Sequence, residues 1–273
     1  MSAPQPQDHG EGLLALLREG DLVVEGRVVT ASNLTLYARV DGPDGASVPC
    51  VYKPVSGERP LWDFPDGTLA AREVAAYAVS EGGGWNLVPP TVLRDGPLGP
   101  GMCQQWMVVD DAAAMVDVFS ADPGADAPPG WRTVLRGRDE VGRSVVLAHL
   151  DSPALREMAL LDAVLNNADR KGGHVLAVRG GQVVGVDHGL CFHVEPKLRT
   201  VLWGWQGEAL LPAEQDRLER LAHLLEDVLG EQLGLLLSPT EVAELDRRID
   251  GLLHAGRFPR PSRSWPSIPW PAF

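Results

Sequence analysis

Asn166-Asn167-Ala168-Asp169-Arg170-Lys171-Gly172-Gly173-His174, a polar stretch between a helical pattern and a strand-like one, decides how the chain is read. Upstream, Leu155, Met158, Leu161 and Leu165 recur at helical spacing behind Pro153, with Asp151 or Ser152 placed as N-cap. Downstream, HVLAVR (174–179) and QVVGVD (182–187) read as short strands across Gly180-Gly181, followed by Val186-Asp187-His188-Gly189-Leu190. A carboxylate on a loop, Asp169, and a second at a strand end about one hairpin later, Asp187, suit phosphoryl transfer. The first would face an acceptor, and the second would hold a hard divalent cation through oxygen, with Asn166 or Asn167 as further donors. The plain alternative is a polar turn whose Asn and Asp side chains satisfy the backbone.

Working outward, residues 20–110 read as a twisted antiparallel sheet carrying one helix. Three Val-rich runs, LVVEGRVV (22–29), LTLYARV (34–40) and SVPCVYK (47–53), are separated by the turn material TASN (30–33) and DGPDG (41–45). A short helix over 11–19 precedes them, stopped by Gly20. A longer helix is expected over 68–80, capped by Thr68 and ended by the glycines at 82–84, with a further strand over 103–110. Beyond 130, a hairpin (131–137 and 143–150) leads into helices at 153–165, 212–229 and 239–254. The fold class expected is therefore α+β in two lobes: a tail over 1–10, a sheet lobe over 11–110, and a mainly helical lobe over 111–257. The Pro/Trp-rich tail over 258–273 either wraps the surface, anchored by Trp265 and Trp270, or stays without structure.

Of 24 basic residues only three are lysines: Lys53, Lys171 and Lys197. A chain that uses arginine by default places lysine where a compact point charge is wanted, as on a phosphate. Lys53 ends a strand, and Glu73 lies on the next helix among Leu69, Ala70, Ala76 and Tyr77. A carboxylate in an apolar stripe needs a cation, and Lys53 is the natural one.

At 273 residues, 44% apolar and 22% charged, the chain is long enough for a sizeable core. Its net charge of −13 argues against nucleic acid as a partner and against unaided docking on anionic lipid. Three scattered cysteines, no evident secretory signal and no apolar run near the length of a membrane span point to a cytoplasmic protein.

Four short pieces occur in a telling order: Val51-Tyr52-Lys53-Pro54, Arg72-Glu73-Val74-Ala75-Ala76-Tyr77, Asn167-Ala168-Asp169-Arg170 and Val186-Asp187-His188-Gly189-Leu190. In them the chain resembles the atypical kinases of the phosphatidylinositol 3-/4-kinase superfamily. It is most similar to type II phosphatidylinositol 4-kinases, HipA-like kinases and an actinobacterial phosphatidylinositol-kinase-like group. The resemblance implies a two-lobed protein-kinase-like fold that binds ATP with Mg2+ or Mn2+ and phosphorylates a hydroxyl acceptor. It also implies that Lys53 contacts the ATP phosphates with Glu73 holding it, that Asp169 orients the acceptor, and that Asp187 holds the metal, with Asn167 and His174 nearby. Gln104, Gln105, Trp106 and Met107 would lie in the adenine hinge, and Ser32 and Asn33 in the phosphate-covering turn. Two departures stand out. His174 occupies the place of the asparagine that family members carry five residues after the catalytic aspartate, and imidazole is a poor Mg2+ ligand. The phosphate-covering turn also lacks a glycine-rich run. Both leave a nucleotide-binding pseudokinase, a regulatory module, as the alternative function. The acceptor and the oligomeric state are not written in the sequence.

The remaining candidates have plainer readings. His149, His188 and His193 fit no common metal spacing with His174. Asp162 is either a solvent-facing acid or a support for the Asp169 loop. WGWQGE (203–208) is either a lid or packing, and Arg257, Arg260 and Arg263 form a small basic stripe.

Overall fold

The computed structural model describes residues 8–29, 33–64, 69–110, 114–122, 124–262, 264 and 266–273. Strands β1 (Asp21–Arg27), β2 (Leu36–Asp41), β3 (Ser47–Pro54), β4 (Thr91–Gly96) and β5 (Gly99–Gln105) form an antiparallel sheet in the order β1-β2-β3-β5-β4. Strand alternation sorts β3 into two sets. Cys50 and Tyr52 are buried with Ala38, Val40 and Cys103, and α1 (Asp8–Glu19) covers that face through Leu13, Leu14, Leu16 and Leu17. Val51 and Lys53 point the other way, where α2 (Leu69–Gly82) packs Ala70 and Val74 against Met102, the cross-strand partner of Lys53. The sheet therefore carries a helix on each face where one was expected. Thr68, the expected cap of α2, lies outside the described residues. The carboxylate of Glu58 accepts from the amides of Leu69 (3.0 Å) and Ala70 (2.8 Å), which satisfies orphan donors and places negative charge at the helix start.

The second half holds more sheet than its pattern suggested. Strands β6 (Val116–Ser120), β7 (Trp131–Arg138) and β8 (Ser144–Leu150) form a three-stranded antiparallel sheet in the order β6-β8-β7. The β7–β8 hairpin was expected, and β6 was not. α3 (Pro153–Leu165) begins at Ser152, whose side chain accepts from the Leu155 amide, and ends at Asn166 in the left-handed conformation. Its residues Leu155, Met158, Leu161 and Leu165 enter the main core. The short hairpin β9 (Val175–Val178) and β10 (Gln182–Gly185) follows, then α4 (Pro212–Leu225), α5 (Val228–Gly234) and α6 (Pro239–Ala255). The expected single helix over 212–229 is two, because the chain turns back at Glu226-Asp227. A Cβ on Gly230 would overlap the Leu225 carbonyl oxygen, so the turn needs glycine there.

The strand expected over 103–110 ends at Gln105. Beyond it only Val109 makes an isolated bridge, to Val178, as the chain leaves the first sheet for the second half. The final segment wraps the second half, but Trp270 does not anchor it, being 88% exposed, and Trp265 lies outside the described residues. The Ser267 carbonyl accepts from Trp203 Nε1 (2.7 Å) and the Thr200 amide (3.1 Å), and the Ala272 carbonyl accepts from the Gly172 amide (2.8 Å). The Phe273 ring lies on Gly172 where a Cβ would otherwise stand. All three cysteines are free and buried, and among the described residues no helix is long and apolar enough to cross a membrane.

Candidate active site

Three of the sequence candidates meet around one ammonium group. Lys53 Nζ donates to Glu73 Oε1 at 2.7 Å and to Asp187 Oδ1 at 2.8 Å, while Glu73 Oε2 accepts from the His188 amide at 2.8 Å. Glu73 is 1% exposed, whereas the Asp187 side chain is about half exposed. Burial pushes the Glu73 carboxyl up, against the pull of Lys53. Burial also works against the Lys53 charge, but Asp187 and Glu73 outweigh it and hold the ammonium above the ordinary lysine range. The Lys53 charge keeps Asp187 far below the usual carboxylate range. Asp187 takes a left-handed backbone (φ 60°), a conformation that is costly for a residue with a Cβ and that clusters at functional sites.

Asp169 is built into this cluster through His174. The imidazole Nδ1 stands 2.9 Å from the Asp169 carbonyl oxygen, which can only accept, so Nδ1 carries the proton. Nε2 then faces Asp187 Oδ2 at 3.4 Å. Burial lowers the His174 pKa, favouring the neutral ring. The Asp169 carboxylate is a quarter exposed and pairs with Lys171 Nζ at 3.4 Å; burial pushes its pKa up, opposed by Lys171 and His174.

Asp162 holds the loop from beneath. It is fully buried and accepts from Asn167 Nδ2 (3.0 Å), Arg170 Nη2 (2.9 Å) and Thr200 Oγ1 (3.0 Å). Arg170, also fully buried, donates onward to the Val186 carbonyl (3.0 Å) and to His188 Nε2 (2.7 Å), joining the Asp169 loop to the Asp187 turn. Of the two readings of Asp162, the support is the one observed.

Other candidates take different places. Asn167 is buried, its Nδ2 held by Asp162 and its Oδ1 accepting from the Asp169 amide at 3.0 Å, so its amide shapes the loop. Asn166 likewise binds the backbone of His193, Glu195 and Lys197. Gln104 is buried and donates to Thr91 Oγ1 at 2.8 Å, which commits its side chain to the sheet. Gln105 ends β5; Trp106, part-exposed against Tyr37, and Met107 follow where the chain leaves that sheet. Asn33 accepts from the Arg59 amide at 3.0 Å, and Ser32 lies outside the described residues. His149 stacks on Trp205 at 4.5 Å with both nitrogens engaged, and burial pulls its pKa down to about 4, as befits a core histidine. Trp203 and Trp205 are buried packing, not a lid. Among the described residues no three His, Cys, Asp or Glu side chains form a group that could hold a metal ion. Asp187 and His174 offer two donors, and an ion there needs further oxygens from a ligand.

Arg72 had no signal in the sequence. From α2 it donates to the Cys191 carbonyl (2.9 Å) and pairs with Glu241 of α6 at 2.5 Å, both side chains nearly inaccessible. It therefore ties the helix bearing Glu73 to the second half. Arg72→Leu leaves Glu241 buried without its cation, so amide hydrogen exchange across α2 is expected to accelerate by at least about tenfold.

The chain has a two-lobed, kinase-like fold, which solved structures share. The hydra Fam20 structure with sugar is similar over 93% of this chain and 89% of its own, at 15% identity and TM-score 0.56. The Golgi casein kinase is similar over 92% and 75% (13%, TM-score 0.52), and the same kinase with Mn/ADP bound over 90% and 74% (14%, TM-score 0.52). No model of a known protein family matches the chain. In sequence the chain belongs to the family of Protein Rv2133c of Mycobacterium tuberculosis (strain ATCC 25618 / H37Rv), with 49% identity over 266 residues and 95% of each protein covered.

Proposed function

We propose that the chain is an atypical kinase that transfers the γ-phosphoryl group of ATP, with Mg2+ or Mn2+, to a hydroxyl of a protein or small molecule, inositol lipids included. The observation that carries this reading is the convergence of Lys53, Glu73 and Asp187, with His174 linking that cluster to Asp169. The resemblance of four sequence pieces to phosphatidylinositol-kinase-like and HipA-like kinases supports it, as do the kinase neighbours, one of them with Mn/ADP bound.

In this reading ATP lies between a sheet lobe over about 11–110 and a second lobe over about 111–257. Lys53 binds phosphate oxygens, and Glu73 fixes the direction of its ammonium. Asp169 orients the acceptor hydroxyl and takes its proton at the carboxylate, while Asp187 and His174 face the cation. When bound, the cation neutralises charge on the phosphate oxygens. The chain itself supplies positioning and charge, the main contributions available in phosphoryl transfer. The second reading, a nucleotide-binding regulatory module without turnover, is favoured by one observation, the imidazole at position 174.

Incubation with γ-labelled ATP and either cation is expected to label an acceptor or the protein itself, with label lost in Asp169→Ala. Stabilisation by nucleotide without transfer selects the regulatory module. No stabilisation by ATP, with Lys53→Ala behaving as wild type, removes both readings.

A further inference from the structure

Two consecutive glycines, Gly172 and Gly173, join the two residues that meet Asp169 from downstream. Lys171 pairs with its carboxylate at 3.4 Å, and the His174 ring meets its carbonyl at 2.9 Å. Glycine has the greatest backbone freedom of any residue, so fixing two in a row costs the most entropy. The residues just before them are held by the body of the second half. The Ala168 amide donates to the Leu190 carbonyl at 2.9 Å and the Arg170 amide to the Arg199 carbonyl at 3.0 Å. Gly172 is held from far along the chain: its amide donates to the Ala272 carbonyl at 2.8 Å, and the Phe273 ring lies over it.

The two glycines differ in the space around them. A Cβ on Gly172 would overlap the Phe273 ring, whereas a Cβ on Gly173 would meet nothing within 4 Å. The same tail grips a second point beside the loop. The Ser267 carbonyl accepts from the Thr200 amide at 3.1 Å, and Thr200 bridges to Arg170 and donates its hydroxyl to Asp162 at 3.0 Å. Ile268 and Ala272 pack against the main core, while Phe273 keeps about half its surface in water. What the ring covers is the glycine turn.

We propose that residues 266–273 are a positioning element for Asp169, in which the Ala272 carbonyl and the Phe273 ring fix Gly172 and so keep Lys171 and His174 on that residue. The proposal rests on the kinase reading above and deepens it. Phosphoryl transfer draws chiefly on placement, and a displacement of about 1 Å costs up to about 10²-fold in rate. The tail acts through the loop and adds no contact to the nucleotide.

The test uses the full chain. In Phe273→Ala, amide hydrogen exchange across 171–174 is expected to accelerate by about tenfold. With γ-labelled ATP, kcat is expected to fall about tenfold while KM for ATP stays within about twofold, and Phe273→Tyr, which keeps the ring, restores kcat. Gly172→Ala is expected to displace the ring and accelerate exchange across the tail, and Gly173→Ala is not. Exchange across 171–174 that is unchanged in Phe273→Ala, or a kcat equal to or above that of the wild type, overturns the positioning element while leaving the kinase reading in place. Absence of transfer by the wild-type chain removes the kinase reading, and with it any catalytic role for the tail.

Discussion

Asp169→Asn is expected to lower phosphoryl transfer by about 10²–10⁴-fold, the range spanned by a positioned general base. Stabilisation by an ATP analogue with Mn2+ should be retained. Asn fills the same volume, can still meet Lys171, and leaves the backbone carbonyl that holds His174 unchanged. What it loses is a carboxylate able to take a proton from the acceptor. The decrease should fall on kcat with KM for ATP nearly constant, since no ground-state contact to the nucleotide is removed. A variant that turns over at the wild-type rate would remove Asp169 from the chemistry, whatever the nucleotide does.

The second large effect is on stability. Asp162→Ala leaves the Arg170 guanidinium, at 0% exposure, without its carboxylate, and Thr200 Oγ1 and Asn167 Nδ2 without their acceptor. Breaking a buried pair from one side costs about 3–5 kcal/mol. A chain of this size shifts its melting temperature by about 2–4 °C per kcal/mol, so a fall on the order of 10 °C is expected. Removing both charges, as in Asp162→Leu with Arg170→Met, should recover part of that loss, because no ion is then stranded. Melting unchanged in Asp162→Ala would show that the hub does not support the loop.

The sequence was most informative where chemistry forces a pairing over short range. Glu73 in an apolar helical stripe demanded a cation, and the strand just before it ended in Lys53. The α3 helix was legible from its leucine spacing and its Ser-Pro start, and the β7–β8 hairpin from its turn. What escaped was set by distant partners. Nothing near Arg72 signals that Glu241, far along the chain, would meet it in a dry interface. The strand β6 is five residues long and becomes a strand only by pairing with β8. Sequence also cannot show that the Asn167 amide braces the loop and that the Gln104 amide bonds Thr91 within the sheet. Trp270 looked like an anchor for its size, yet backbone carbonyls at Ser267 and Ala272 fasten the tail.

The Arg72–Glu241 bond bears on how such a protein could be turned on and off. Withdrawing α2, and with it Glu73 from Lys53, would strand charges at two buried pairs, at several kcal/mol. A state that unfavourable is populated below about 1% of the time. In the proposed kinase, control by a swinging α2 is therefore disfavoured, because the two pairs hold that helix docked on its partners.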